Sequence, residues 1–403
     1  MSALAGVPLW FFAMDAPERA GGGGGADRPV GVARSDERSA AAAVDARRRS
    51  GSPDAGATSA GAPAPDSGAA DGGLDPVRGF AKAVEAGEAL TVQELLDKNA
   101  KEADQYVDRF CEQAGKFRDG GVPQSHFSGE RDAAPYLTRQ IDFERPLDLP
   151  PGLLHLPAAL QARLQGYGAD WLTKIVPQDW QGLDFSWLKQ LDQFDYWSAL
   201  GAGPLRAYPV GNVLYEPIPN FTSVRYWVKL RYALGFARGD VAQASVEVRH
   251  LADLMRSQGL LVSELNAMMI YRNDAQARAA AASASIDVSN WPAMDPALTQ
   301  AWGKMAWASG RFALPGVSEA TMRKAATCMP SPCSGLVEGL GLGRSLGGYA
   351  TADDMSVVTD LGAQAGCEAD MISRAGAAHP VSPAEALMVL SDDLSKYFAS
   401  PAP

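Results

Sequence analysis

The stretch that decides the fold is residues 222–283, which read TSVRYWVKLRYALGFARGDVAQASVEVRHLADLMRSQGLLVSELNAMMIYRNDAQARAAAAS. Large apolar residues recur along it at helical spacing, as Trp227, Leu230 and Leu234 do. Gly239 and Gly259 interrupt the pattern, and glycine commonly follows the last residue of a helix. The stretch therefore predicts three consecutive helices that end near Arg238, Gly259 and Ala282.

Helix signals also stand on either side of this stretch. Thr91-Val-Gln-Glu94 and Thr351-Ala-Asp-Asp354 have the spacing of capping boxes, in which two side chains bind the first free N–H groups of a helix. Strand-like alternation is nearly absent from the chain. We therefore predict an all-α fold, with antiparallel helical hairpins in an irregular bundle or a short solenoid.

Residues 224–258 resemble a tetratricopeptide-type (TPR-like) helical hairpin. Trp227, Leu230 and Leu234 match three positions of the first helix of that family, although Arg231 stands where the family has a small residue. No second copy follows at a period near 34 residues. The resemblance implies antiparallel packing of two helices and does not extend to the rest of the chain.

The N-terminal part has a different composition. Residues 15–75 consist mainly of Gly, Ala, Ser, Pro, Asp and Arg, which offer little to bury, so we predict a disordered linker there and a helical body over 76–403. Residues 1–14 form a short apolar segment, and its uncharged part, 3–14, is shorter than the roughly 20 residues of a membrane span. Two interpretations stay open: this segment is the remnant of a membrane anchor, or it docks on protein.

Charge restricts the kinds of partner. The chain has 403 residues and a formal net charge of −11. An acidic protein is not drawn to a phosphate backbone, so nucleic acid is not expected as a partner. No motif indicates a cofactor, and none is expected.

Four cysteines are present, at positions 111, 328, 333 and 367. Cys328 and Cys333 flank Met-Pro-Ser-Pro, a short stiff segment that could hold their sulfurs near bonding distance. The alternatives are a Cys328–Cys333 disulfide and free buried thiols. The spacing does not match a zinc-binding CxxC pair.

One pair of residues is a candidate metal site. Glu247 and His250 lie three residues apart on one helix face and could bind a metal, or could pair with neighbouring side chains instead.

Glycines form a regular series later in the chain. Gly335, Gly339 and Gly343 recur every four residues, and Gly347 continues the series. In a helix, such a stripe lets another backbone approach closely; otherwise it is a glycine-rich loop.

Aromatic residues are concentrated in residues 167–232, where 14 of 66 positions are Phe, Trp or Tyr, against 8% for the chain. They either fill a wide core or line a ligand groove, for which Trp180, Trp197 and Tyr208 are the predicted contacts. Carboxylates are interleaved with them, and a pair of carboxylates can hydrolyse a glycoside.

The leading functional hypothesis is a non-catalytic, tethered binding or scaffold protein of a bacterial cell envelope, with a protein or glycan partner and a membrane tether through residues 3–14. The alternative is a glycan-acting hydrolase that uses carboxylates of the region 167–232. A cytoplasmic location is the alternative for the compartment. A hydrolase requires two carboxylates roughly 5–10 Å apart, one of them with a raised pKa.

Overall fold

The computed structural model describes residues 91–119, 130–143, 152–168, 170–198, 219–294, 296–345, 351–367, 372 and 394–398. The chain divides into Met1–Gly79 and Phe80–Pro403, and every described residue belongs to the second unit. The described part is mostly helical and has no strand, which confirms the predicted all-α class. The predicted apolar segment 1–14 and linker 15–75 lie outside the described residues.

The described residues form fourteen α-helices, numbered here in chain order. They are α1 (Val92–Asp119), α2 (Ala134–Gln140), α3 (Ala158–Gln165), α4 (Trp171–Lys174), α5 (Pro177–Trp180), α6 (Ser186–Gln190), α7 (Phe221–Arg238), α8 (Val241–Ser257), α9 (Leu261–Ser283), α10 (Pro296–Ser309), α11 (Glu319–Cys328), α12 (Pro332–Ser345), α13 (Ala352–Gln364) and α14 (Ser395–Phe398). None of these helices combines the length and the apolar character that a membrane span requires.

Helices α7, α8 and α9 pack on one another and form the centre of the described body. The three helices predicted over 222–283 are confirmed. Gly239 follows α7 with φ 77° and Gly259 follows α8 with φ 68°, a left-handed conformation that favours glycine. Helices α7 and α8 are adjacent, as a helical hairpin requires, but the TPR-like arrangement stays a prediction.

The remaining long helices extend from this centre. Helix α10 packs on α9, and α12 packs on α10 and on the 3-10 turn Gly310–Ala313 that follows it. Gly335 and Gly339 of α12 permit that approach, because a Cβ at Gly339 would lie 2.7 Å from the Gly310 carbonyl oxygen. The glycine stripe is therefore a helix-packing face at these two positions.

The capping boxes predicted at Thr91 and Thr351 are confirmed. At α1, the Glu94 carboxylate accepts the Thr91 backbone N–H at 2.8 Å, and the Thr91 hydroxyl accepts the Glu94 backbone N–H at 3.3 Å. Thr351 and Asp354 make the same reciprocal pair at the start of α13.

The cysteines pair differently from the prediction. Cys111 is bonded to Cys328 and Cys333 to Cys367, so both the Cys328–Cys333 disulfide and the free thiols are wrong. The reason is helix packing: α11 ends at Cys328 alongside α1, whereas α12 carries Cys333 to the end of α13. Cys328 therefore meets Cys111 of α1, and Cys333 meets Cys367, three residues after the end of α13.

Candidate functional site

A cleft of about 600 Å³ opens beside the outward face of α8. Its second wall is the segment after α9, which contributes Asp287, Asn290, Trp291 and Pro292. The residues of α8 that line the cleft include apolar, basic and acidic side chains. They include Val246, Arg249, His250 and Asp253.

The floor of the cleft is organised by Asp274, a fully buried residue of α9. Its Oδ1 accepts hydrogen bonds from the Tyr232 hydroxyl at 2.5 Å, the Ser245 hydroxyl at 2.6 Å and the Trp291 indole N–H at 2.9 Å. Its Oδ2 accepts from Nη1 of Arg249 at 3.0 Å. One carboxylate thus joins α7, α8, α9 and the segment that carries Trp291.

This arrangement compensates the cost of burying a charge. An isolated buried carboxylate is strongly destabilising, whereas one with a cationic partner and several donors is not. Burial raises the pKa of Tyr232 well above its ordinary value, and the neighbouring Asp274 carboxylate adds to the effect. The Tyr232 hydroxyl therefore keeps its proton and acts as a donor.

Arg249 is fixed between the floor and the wall of the cleft. Its guanidinium also donates to the Pro292 carbonyl oxygen at 3.3 Å and lies 5.4 Å from the centre of the Tyr271 ring. The Tyr271 hydroxyl in turn donates to the Asp253 carboxylate. Burial, followed by the Asp253 charge, raises the pKa of Tyr271, so this hydroxyl also stays protonated.

The rim of the cleft is acidic and has one exposed aliphatic side chain. Asp253 and Asp287 are exposed, and Val246 is 58% exposed. The backbone N–H of Ser289 and then its hydroxyl hold the pKa of Asp287 below its ordinary value, so this carboxylate is ionised at neutral pH. Such a rim suits a ligand with a cationic group next to an apolar portion.

The cleft does not contain a pair of groups arranged for nucleophilic catalysis within the described residues. The Ser245 hydroxyl donates to Asp274, and Nε2 of His250 lies 2.9 Å from the Leu191 carbonyl oxygen. No hydrogen bond joins Ser245 to His250, so the two are not arranged as a serine–histidine pair. The polar groups around Asp274 hydrogen-bond α7, α8 and the segment that carries Trp291 to α9.

The three predicted aromatic contacts have different outcomes. Trp197 is only 3% exposed and packs against Phe221 with ring centres 6.3 Å apart, so the structure does not support it as a ligand contact. Trp180 is partly exposed, and its role as a contact stays a prediction. Tyr208 lies outside the described residues.

Most described rings of the region 167–232 fill the core. Trp187 and Phe185 both pack edge-on against Trp227, with ring centres 6.1 and 5.1 Å away. The buried rings are Trp171, Trp187, Trp197, Phe221, Tyr226, Trp227 and Tyr232. The aromatic concentration in the sequence is therefore mainly a packing feature.

The carboxylates of the same region mostly have structural partners. Asp170 pairs with Lys174, Asp179 with Arg163, Asp184 with the Ser186 backbone and hydroxyl, and Asp195 with Arg131. These contacts lower the pKa of Asp170, Asp184 and Asp195, the last to about 2, chiefly through its hydrogen bond from Arg131. A general acid for glycoside cleavage requires a raised pKa, so that the carboxyl group carries a proton.

Glu247 and His250, the predicted metal ligands, each have another partner. The Glu247 carboxylate accepts from Nε of Arg231 at 2.7 Å, and Gln243 donates to its second oxygen at 3.2 Å. His250 contacts Leu191, as described above. No group of three metal-binding side chains occurs in the part of the chain that the structure describes.

Sequence reasoning missed Asp274, although a signal was present. Glu264, Ala267, Tyr271 and Asp274 fall three or four residues apart, so they share one face of α9. That face is buried at all four positions. A carboxylate on a buried face requires donors from neighbouring helices, and this requirement identifies Asp274 as the centre of a network.

No family model, curated protein or solved structure matches the chain. Its function is therefore inferred from its own residues.

Proposed function

We propose that the protein is a non-catalytic binding or scaffold protein that holds a cationic segment of a partner protein in the cleft beside α8. The observation that carries the proposal is the combination of a buried, hydrogen-bonded network around Asp274 with an exposed rim of Asp253, Asp287 and Val246. A lysine or arginine side chain fits this rim, because its charged end faces carboxylates while its aliphatic stem packs on the valine. The net charge of −11 also favours approach of a basic partner.

A protein partner is favoured over a glycan by the nature of the cleft wall. Sugar rings stack on exposed aromatic faces, whereas Trp291, the aromatic side chain of this cleft, is only 3% exposed. The hydrolase alternative is disfavoured by the lowered pKa of Asp170, Asp184 and Asp195. Their contacts stabilise the charged form, and an acid catalyst has to carry a proton at working pH.

The proposed location is the cell envelope. One disulfide joins α1 to α11, and the other joins α12 to the segment after α13. Such bonds persist in oxidising compartments but are rare in the cytosol. This supports an exported body over the cytoplasmic alternative. The tether through residues 3–14 remains part of the proposal.

The test uses three probes of stated chemistry: the peptides Ac-Leu-Lys-Leu-NH2 and Ac-Leu-Glu-Leu-NH2, and a trisaccharide of N-acetylglucosamine. Binding to the full chain is measured by saturation-transfer difference NMR. We expect contact with the lysine peptide only. Binding of the glutamate peptide, or hydrolysis of the trisaccharide, contradicts the proposal.

Two matched variants locate the site. Val246→Arg puts a bulky cation on the cleft rim, and Val176→Arg puts the same group at a 45% exposed position near Trp180. Both positions are exposed, so each variant is expected to fold, which far-UV circular dichroism checks. Loss of lysine-peptide binding in Val246→Arg alone supports the cleft. Loss in Val176→Arg alone places the binding site in the aromatic region instead.

A further inference from the structure

The second wall of the cleft, residues 287–292, contains turns but no helix or strand. Its internal hydrogen bonds are local. The Ser289 backbone N–H donates to the Asp287 carboxylate at 2.9 Å, and the Trp291 backbone N–H donates to the Val288 carbonyl oxygen at 3.1 Å. Local bonds of this kind do not fix the distance of the wall from α8, so its position depends on contacts from the helices.

Two arginines from different helices hold carbonyl groups of this wall. Arg249 of α8 donates to the Pro292 carbonyl oxygen at 3.3 Å. Arg278 of α9 donates through Nε to the Trp291 carbonyl oxygen at 2.9 Å and through Nη2 to the Val288 carbonyl oxygen at 3.5 Å. Hydrogen bonds from a charged donor are stronger than neutral ones, so the wall is held from both helices.

Arg278 differs from the other anchors of the wall, because it has no second structural task. Arg249 and Asp274 contact the wall but also form an ion pair that joins α8 to α9. Within the described residues, Arg278 has no carboxylate partner, and both of its hydrogen bonds go to the wall. Releasing Arg278 therefore frees the wall and leaves the ion pair between the helices intact.

We infer that Arg278 is a positioning residue of the cleft, which holds the wall carrying Asp287 in place beside α8. Arg278 does not itself line the cleft. The inference rests on the proposed function, because it concerns the cationic segment that the rim binds. Asp287 contributes to the rim only while the wall stays opposite α8.

The sign of the effect separates positioning from charge. Removal of a cation from the neighbourhood of an acidic rim favours the approach of a cationic peptide, so a role through charge alone predicts tighter binding. A positioning role predicts weaker binding, because the released wall no longer presents Asp287 to the ligand. Arg238→Gln is the matched control, since Arg238 is an exposed residue at the end of α7 and its loss removes the same charge.

The first arm needs no ligand and measures hydrogen exchange of the full chain by NMR. In Arg278→Gln, we expect the backbone N–H and the indole N–H of Trp291 to exchange at least about tenfold faster, while the amides of α8 keep their rates. Arg278→Lys keeps the charge but lacks the planar fork that reaches two carbonyl groups, so its rates should lie between those of the wild type and Arg278→Gln. Unchanged exchange at Trp291 in Arg278→Gln overturns the inference. Faster exchange throughout α8 also overturns it, because Arg278 then supports the whole fold.

The second arm measures the dissociation constant of Ac-Leu-Lys-Leu-NH2 by isothermal titration calorimetry. We expect binding at least about fivefold weaker in Arg278→Gln, and binding at least as tight as wild type in Arg238→Gln. Equal or tighter binding by Arg278→Gln overturns the positioning role. If the wild type does not bind the peptide, the proposed function fails, and the exchange rates alone decide whether Arg278 positions the wall.

Discussion

Replacing Asp274 with asparagine tests the network that holds the centre of the fold. The substitution keeps the size of the side chain and one carbonyl oxygen, which can still accept from Tyr232, Ser245 and Trp291. It places an NH2 group opposite the Arg249 guanidinium, where Oδ2 accepts at 3.0 Å. Two donors then face each other, and the guanidinium loses its buried counterion.

The size of the effect follows from the burial of the pair. Breaking a buried ion pair from one side costs about 3–5 kcal/mol. Arg249 is 15% exposed and retains the Pro292 carbonyl oxygen as an acceptor, so the lower end applies. We expect Asp274→Asn to lower the free energy of unfolding by about 3 kcal/mol, a large part of the roughly 5–15 kcal/mol that stabilises a typical domain.

The assay is urea unfolding at 25 °C with the disulfides intact, followed by tryptophan fluorescence and by far-UV circular dichroism. Asp287→Asn is the matched control, because Asp287 is an exposed carboxylate on the rim of the same cleft. Its effect should stay within about 0.5 kcal/mol. If the two variants unfold at the same urea concentration, the charge of Asp274 does not hold the helices together.

Two other predictions concern packing and pH. Gly339→Ala should destabilise the protein by about 1–3 kcal/mol in urea unfolding, because its Cβ would meet the turn after α10. Gly115→Ala in α1 should instead stabilise the protein by about 0.5–1 kcal/mol, since the added methyl would meet no side chain or neighbouring segment within 4 Å. Equal signs for the two glycine variants would contradict this account of packing. NMR titration of the Asp195 carboxyl should give a midpoint near 2, so its bond to Arg131 is present at neutral pH and lost as the pH falls through that value. Arg131→Gln should move the midpoint up toward the ordinary value of 3.8, and an unchanged midpoint would contradict the pairing.

The features that could be predicted from the sequence are local ones. The ends of α7 and α8 could be predicted from Gly239 and Gly259. A single glycine in the left-handed conformation is enough to end a helix, so this signal lies at one position of the sequence. Both capping boxes follow from residues only three positions apart. Signals of this kind need no knowledge of the rest of the chain.

The features that could not be predicted depend on contacts between distant segments. Cys111 and Cys328 are 217 residues apart, and their pairing is set by the packing of α11 on α1. The sequence around Trp197 shows no helical periodicity from which its burial could be predicted, because the helices before it have only four or five residues. The cleft itself forms between α8 and the segment after α9, which the sequence pattern did not bring together.

The central claim is that carboxylates on the rim of the α8 cleft hold a cationic partner. The most direct test is the dissociation constant of Ac-Leu-Lys-Leu-NH2, measured by isothermal titration calorimetry for the wild type and for the double variant Asp253→Asn, Asp287→Asn. Two exposed ion pairs at about 0.7 kcal/mol each predict roughly tenfold weaker binding for the double variant. An unchanged dissociation constant would contradict a cation-binding rim.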